Sequence, residues 1–165
     1  RPNFVSSVDK ELLKLKYKDG IEFTVIGDEN YVNRKLNIKG VKWNNEKEVE
    51  LFNSFDIGVM PLPNNEWTKG KCGMKGLLYM SVGIPTVMSK VGMNHDIINH
   101  GENGFLASGE DEWIQTLSNL IEDEKLRKVI GESGRKTVLD HYSKDTVKEI
   151  FYKLYNSLIE KHEKL

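Results

Sequence analysis

Short apolar runs alternate along this chain with longer stretches of helical period. Ile21–Ile26 is rich in β-branched and aromatic residues and predicts a strand, closed by Gly27-Asp28. Asp28–Lys35 is polar and predicts a loop, while Leu36–Val41 alternates and predicts a second short strand. Ile57–Pro61 is long enough for a buried strand and too short for a helix; Pro85–Met88 gives another strand and Phe105–Ala107 the last. Between these runs the period changes. Arg1–Tyr17 predicts a helix, with Pro2 in its first turn, Val8, Leu12, Leu13 and Leu15 as its apolar face and Asp19-Gly20 as its stop. Asn44 or Asn45 caps a helix whose face is Val49, Leu51, Phe52 and Phe55, with Glu46 and Glu48 placed where acids complement the helix dipole. The glycine-rich basic turn Lys69-Gly70-Lys71-Cys72-Gly73 opens a helix that ends at Gly83, and Met93–His100 predicts a short helix burying Ile97 and Ile98.

After the last strand the pattern is helical only. Ser108-Gly109-Glu110-Asp111 starts a helix carrying Trp113, Leu117, Leu120 and Ile121, which Asp123-Glu124 breaks. The next helix carries Leu126, Val129, Ile130 and Val138, with Gly131 and Gly134 lowering its local propensity. Ser143 caps the final helix, whose face is Val147, Ile150, Phe151, Leu154, Tyr155 and Leu158 and whose charged end frays. Strands alternating with helices imply an α/β fold. The expectation is one domain over residues 1–165: a Rossmann-like, doubly wound parallel sheet, helices on both faces, and a helical C-terminal tail from about residue 143.

Charge changes this picture by exclusion. With 24 basic against 25 acidic residues, the chain shows no footprint for nucleic acid and no basic membrane tail. The single cysteine, Cys72, excludes an internal disulfide and a Cys-based zinc site and fits a reducing compartment. No apolar run approaches about 18 residues, so no transmembrane segment is expected, nor is a signal peptide. His95, His100, His141 and His162 lack the spacing of a metal site.

The chemistry gathers between Asp56 and Ser108. A strand, a glycine turn, a helix and a second strand is how α/β proteins build phosphate sites, because small residues let backbone N–H groups approach an anion. If the helix begins near Cys72, the N–H groups of Gly73 and Met74 point at incoming oxygens. Lys69, Lys71 and Lys75 flank the turn, either as a solvated basic surface or as cations for a bound anion. Gly27, at a strand's carboxyl end, either makes a turn only or marks a ligand edge. Trp43 either packs on its own helix or offers a π-face to a base.

The stretch resembles the nucleotide-sugar-binding half of group-1 glycosyltransferases, which have the GT-B fold. Tyr79-Met80-Ser81-Val82-Gly83-Ile84-Pro85 matches that family's Ala-Met-Ala-x-Gly-x-Pro, Lys71-Cys72-Gly73-Met74-Lys75 sits at its Gly-Phe-Gly turn, and Asn103-Gly104-Phe105-Leu106 matches the motif after the next short helix. The resemblance implies a retaining enzyme moving a sugar from a UDP- or GDP-sugar to an acceptor hydroxyl in cell-surface glycan synthesis. No cofactor or metal is implied, since the nucleotide-sugar is a substrate. It favours Gly27, Trp43, Lys71, Gly73, Met74 and Lys75 as donor-binding residues, Lys75 foremost among the lysines, and names no catalytic residue here. The family's two glutamates fall at Gly70 and Leu78, neither acidic; Glu66 and Asp96 are the nearest acids that could stand in. Some branches of the family carry a Lys-Cys-Gly-Phe-Lys-type turn like this one. The family's second domain opens with a strand that this chain does not show, and the acceptor, a glycan or lipid-linked molecule, belongs to a first domain. The expectation is therefore a domain fragment, inactive alone, from a cytoplasmic protein able to sit peripherally at the inner membrane face. A non-catalytic α/β scaffold or protein-partner-binding module that has lost donor binding is the alternative, and it predicts an exposed apolar patch on the last helix.

Overall fold

A computed structural model describes residues 20–36 and 38–162. The helix expected over Arg1–Tyr17 lies outside the described residues. Among the described residues there are six strands: β1 (Phe23–Ile26), β2 (Val32–Asn33), β3 (Ile38–Val41), β4 (Gly58–Met60), β5 (Thr86–Ser89) and β6 (Phe105–Ala107). The helices between and after them are α1 (Glu48–Phe52), α2 (Glu66–Lys69), α3 (Met74–Ser81), α4 (Asn94–Ile97), α5 (Gly109–Glu122), α6 (Glu124–Thr137) and α7 (Lys144–His162). A 3-10 turn, Asn45–Lys47, leads into α1, and a π turn, Val138–Tyr142, joins α6 to α7.

The fold is α/β with helices on both faces, as the alternation of periods implies; among the described residues the strands pair as two three-stranded sheets. The first has the order β1-β3-β2 and the second β4-β5-β6. All pairs in the second are parallel; in the first, β1 and β3 are parallel and β2 runs antiparallel to β3. The expected loop at Asp28–Lys35 therefore contains a strand. Two residues are too few for alternation to show, and the pairing depends on a close approach that Gly40 permits: a Cβ there would lie 2.0 Å from the Asp28 carbonyl oxygen.

Register sorts the side chains of the second sheet. Val59, Val87 and Phe105 lie across from one another on one face; Met60, Met88 and Leu106 lie on the other. The first face joins Val25 and Ile38 of the other sheet in a core closed by Trp113, Leu117 and Leu120 of α5. The second face packs under α3 and α4 through Met80, Ile97 and Ile98. Helices thus cover both faces, and this fixes where the strand ends can meet a ligand.

Three local expectations are corrected. Val49 of α1 and Val129 of α6, both assigned to apolar faces, are about 60% exposed. A helix of five residues buries one side, which here is taken by Phe52. The loop after β4 holds the unexpected α2, started by a capping box: Asn65 Oδ1 accepts from the Thr68 N–H (3.0 Å) and Thr68 Oγ1 from the Asn65 N–H (3.2 Å). Ser143 does cap α7, accepting from the Thr146 N–H at 3.2 Å, yet Ile150, Phe151, Leu154, Tyr155 and Leu158 remain more than half exposed.

Candidate functional site at the carboxyl edge

The loops that follow the parallel strands carry the candidate residues. β1 is followed directly by Gly27, whose φ of +96° suits glycine and whose N–H donates to the Val41 carbonyl at 2.9 Å. That bond brings Gly27 to the edge from which Trp43 emerges. Trp43 is 52% exposed, and its indole N–H donates to Glu48 Oε1 at 2.7 Å, so the ring is anchored to its own helix with surface left open.

At the end of β4, the chain runs through Pro61, Pro63 and α2 to Gly73. The helix begins at Met74, two residues later than expected from Cys72. Gly73 is its N-cap, left-handed at φ +68°, and a Cβ there would fall 2.3 Å from Ile97 Cδ1. Gly73 is therefore buried against α4, and the first-turn donors are the N–H groups of Met74, Lys75 and Gly76. None has an intrahelical acceptor and no side chain caps the helix. Met74 is 56% exposed.

The three lysines differ. Lys69 Nζ pairs with Glu66 Oε1 at 2.6 Å, which occupies one of the two acids named from the sequence as stand-ins for the family's glutamates. Lys71 Nζ sits 3.7 Å from the centroid of the exposed Trp67 ring. Lys75 is exposed and forms no ion pair or hydrogen bond among the described residues. Leu78 is half-buried on α3, and Asp96 is exposed in the first turn of α4.

The loop after β5 locks against this corner. Gly92, at φ +53°, packs so closely on Lys69 that a Cβ would lie 2.4 Å from its carbonyl oxygen. Asn94 is buried; its Nδ2 donates to the Ser89 carbonyl at 2.9 Å, and its Oδ1, facing Gly73, has no partner. The same loop lines a cleft of ≈ 210 Å³ whose other walls come from the ends of β4 and β6. Leu62, Asn64, Ser89, Lys90, Ser108 and Trp113 line it. None was singled out for chemistry from the sequence, although each wall follows directly from a predicted strand or its next helix. On the rim, Glu112 Oε2 accepts from the Ser108 N–H at 2.7 Å, and the Lys90 ammonium lies 2.9 Å from the same carboxylate. The Lys90 hydrogen bond first, then the Ser108 backbone bond, pulls the Glu112 carboxyl down to about 2.

Among the described residues no group of three or more His, Cys, Asp and Glu is placed to hold a metal ion, and no helix is long and apolar enough to cross a membrane. His95 and His141 are exposed, while His100 Nδ1 accepts from the Leu106 N–H at 3.1 Å.

Solved structures place this architecture among the glycosyltransferases of GT-B fold. A glycosyltransferase from Rickettsia africae superposes with a TM-score of 0.71 over 91% of this chain and 43% of its own, at 16% identity. HepE from Anabaena, solved in complex with UDP, superposes with a TM-score of 0.69 over 90% of this chain and 43% of its own, at 17% identity. The sequence then fixes the family: residues 3–123 match the model of the group 1 glycosyl transferases, and the chain belongs to that family. Among curated relatives it is 25% identical over 117 residues to the capsular polysaccharide biosynthesis glycosyltransferase CapM of Staphylococcus aureus, covering 70% of this chain. The chain spans only 30% of the length of that relative.

Proposed function

We propose that this chain is the donor-binding part of a glycosyltransferase that moves a sugar from a nucleoside diphosphate sugar to an acceptor hydroxyl, with retention. The observation that carries the reading is the uncapped start of α3, at the carboxyl end of β4, with Lys75 unpaired beside it. Breaking the bond between sugar and diphosphate builds negative charge on the leaving oxygen. Fixed N–H donors meet that charge without reorganising. A helix start contributes about 0.3–1 kcal/mol toward an anion, and a hydrogen bond from a charged group about 1.5–3 kcal/mol. Lys75 is therefore assigned the larger share, and the diphosphate is neutralised by the chain's own cations. Gly27 and Trp43 border the nucleobase, Trp43 through its open face; Lys71, Gly73 and Met74 shape the diphosphate corner.

The name of the relative CapM supports a role in surface polysaccharide synthesis, and HepE supports UDP as the nucleotide. The acceptor, a glycan or lipid-linked molecule, is assigned to the part of the protein outside these 165 residues, so turnover is expected of the full-length enzyme and not of this segment. The free, exposed Cys72 suits the cytoplasm, with peripheral contact at the inner membrane face in the whole protein.

A second reading keeps the α/β scaffold without donor binding. It is favoured by the absence of acids at Gly70 and Leu78 and by the apolar stripe exposed on α7. Calorimetric titration of the full-length protein with UDP-glucose and GDP-mannose separates the two. Donor binding that weakens in Lys75→Met supports transfer; no heat with UDP, GDP or any sugar nucleotide leaves the scaffold.

A further inference from the structure

Asn94 carries a hydrogen-bonding group that nothing in the fold uses. The residue is 1% exposed, and its Oδ1 is sealed from solvent without a partner among the described residues. Turning the carboxamide round does not relieve this. Its Nδ2 donates at 2.9 Å to the Ser89 carbonyl, which only accepts, so the oxygen has to face the other way. That way lies Gly73: a Cβ built there would be 3.4 Å from Asn94 Oδ1.

Gly73 is the N-cap of α3, the position at which serine, aspartate or asparagine supplies an oxygen to first-turn N–H groups. No such side chain fits, because its Cβ would strike Ile97 Cδ1 at 2.3 Å. The Leu77 N–H is the first along the helix to bond backwards, to the Gly73 carbonyl at 3.2 Å. The donors of Met74, Lys75 and Gly76 come before it. An unpaired buried acceptor and a row of unpaired donors therefore meet at one glycine. Leaving a buried acceptor unpaired is costly, and glycine allows the small peptide rotation that joins the two.

We propose that Asn94 is a positioning residue that acts as a removable cap on α3. Without nucleotide, its Oδ1 accepts a first-turn N–H. With nucleotide, the diphosphate takes that N–H and Oδ1 returns to the unpaired arrangement of this structure. The anion prevails because hydrogen bonds to a charged acceptor are about twice as strong as those between neutral groups. The cap keeps the helix start ordered between turnovers and competes with the departing nucleoside diphosphate, which hastens its release. The inference rests on the donor-binding reading and goes beyond it by giving the loop after β5 control over release.

The test uses the full-length protein, UDP and GDP as probes, and Asn94→Leu, which keeps the volume and removes the acceptor. Calorimetric titration should show Asn94→Leu binding nucleotide about two- to tenfold more tightly than wild type, with slower dissociation in stopped flow. A residue that only supports the fold gives the opposite sign, since a loosened helix start binds more weakly. Unchanged or weaker binding in a variant that melts like wild type overturns the proposal. Should Asn94→Leu fail to fold, wild-type protein labelled with 15N and 13C decides. One amide among Met74, Lys75 and Gly76 should then exchange slowly with deuterium before nucleotide is added, and Asn94 Cγ should shift when it binds. Fast exchange at all three amides, or an Asn94 Cγ signal that stays in place as nucleotide binds, overturns the removable cap. If neither UDP nor GDP binds the wild type, the donor-binding reading fails and the competition fails with it, while the amide exchange still shows whether Asn94 caps the helix.

Discussion

Gly131 on α6 gives a sharp prediction, because helix propensity and packing disagree about its sign. An interior glycine costs a helix about 1 kcal/mol relative to alanine, so Gly131→Ala should stabilise α6 if propensity decides. The structure says otherwise. A Cβ at Gly131 would lie 2.0 Å from the Gly83 carbonyl oxygen and 3.0 Å from its carbon, where ordinary contact begins near 3.4 Å. The obstacle is backbone and cannot rotate away. Overpacking of this kind costs about 1–3 kcal/mol, and a rigid obstacle puts it toward the upper end. Subtracting the propensity gain leaves a net loss of about 1–2 kcal/mol, a fall in Tm of about 2–8 °C for a domain of this size. Gly134→Ala should cost less, since its Cβ would meet the Asn103 carbonyl at 2.9 Å. Glu132→Ala, exposed between them, should stay within about 0.5 kcal/mol. Thermal and urea melts of the three variants decide the matter. A Gly131→Ala protein that melts at or above the wild-type temperature refutes the packing argument. The contact also bears on the site: α6 holds the end of α3 through Gly83 and through Arg135, which donates to the Ser81 carbonyl at 2.9 Å.

Gly58→Ala should destabilise by about 1–3 kcal/mol, because its Cβ would lie 2.5 Å from Tyr79 Cγ; with Tyr79→Ala in the same chain the two losses should add to less than their sum, as a double-mutant cycle by urea melts will show. Lys75→Met in the full-length protein should raise the Kd for UDP-glucose by about tenfold or more, with a shallower salt dependence; an unchanged Kd removes Lys75 from the site. Glu112 has a folded pKa depressed to about 2 from its ordinary 4.5, so its contribution is present above that ordinary value and is lost as pH falls through about 2. Melting temperatures of wild type and Glu112→Gln should therefore differ at pH 6 and converge toward pH 2; a gap that persists at pH 2 contradicts the assignment.

What the sequence determined by itself was the order of elements and the place of the chemistry. Periodicity found β1, β3, β4, β5 and β6 to within a few residues, because each is a short apolar run bounded by glycine, proline or polar turns. The helix start after the basic glycine turn was legible for the same reason, and the motifs from Tyr79 to Pro85 and from Asn103 to Leu106 carried the family. Elements held together by contacts distant in the chain were not legible. β2 exists because Gly40 admits the Asp28 carbonyl, and Gly131 matters because Gly83 lies against it. The division into two sheets, the pairing of Lys69 with Glu66 that leaves Lys75 free, and the cleft beneath Trp113 likewise arise where separate loops meet. Local pattern reports which face of an element is apolar. Which backbone atoms come within contact of each other is set by the packing of whole elements, and only the tertiary structure decides that.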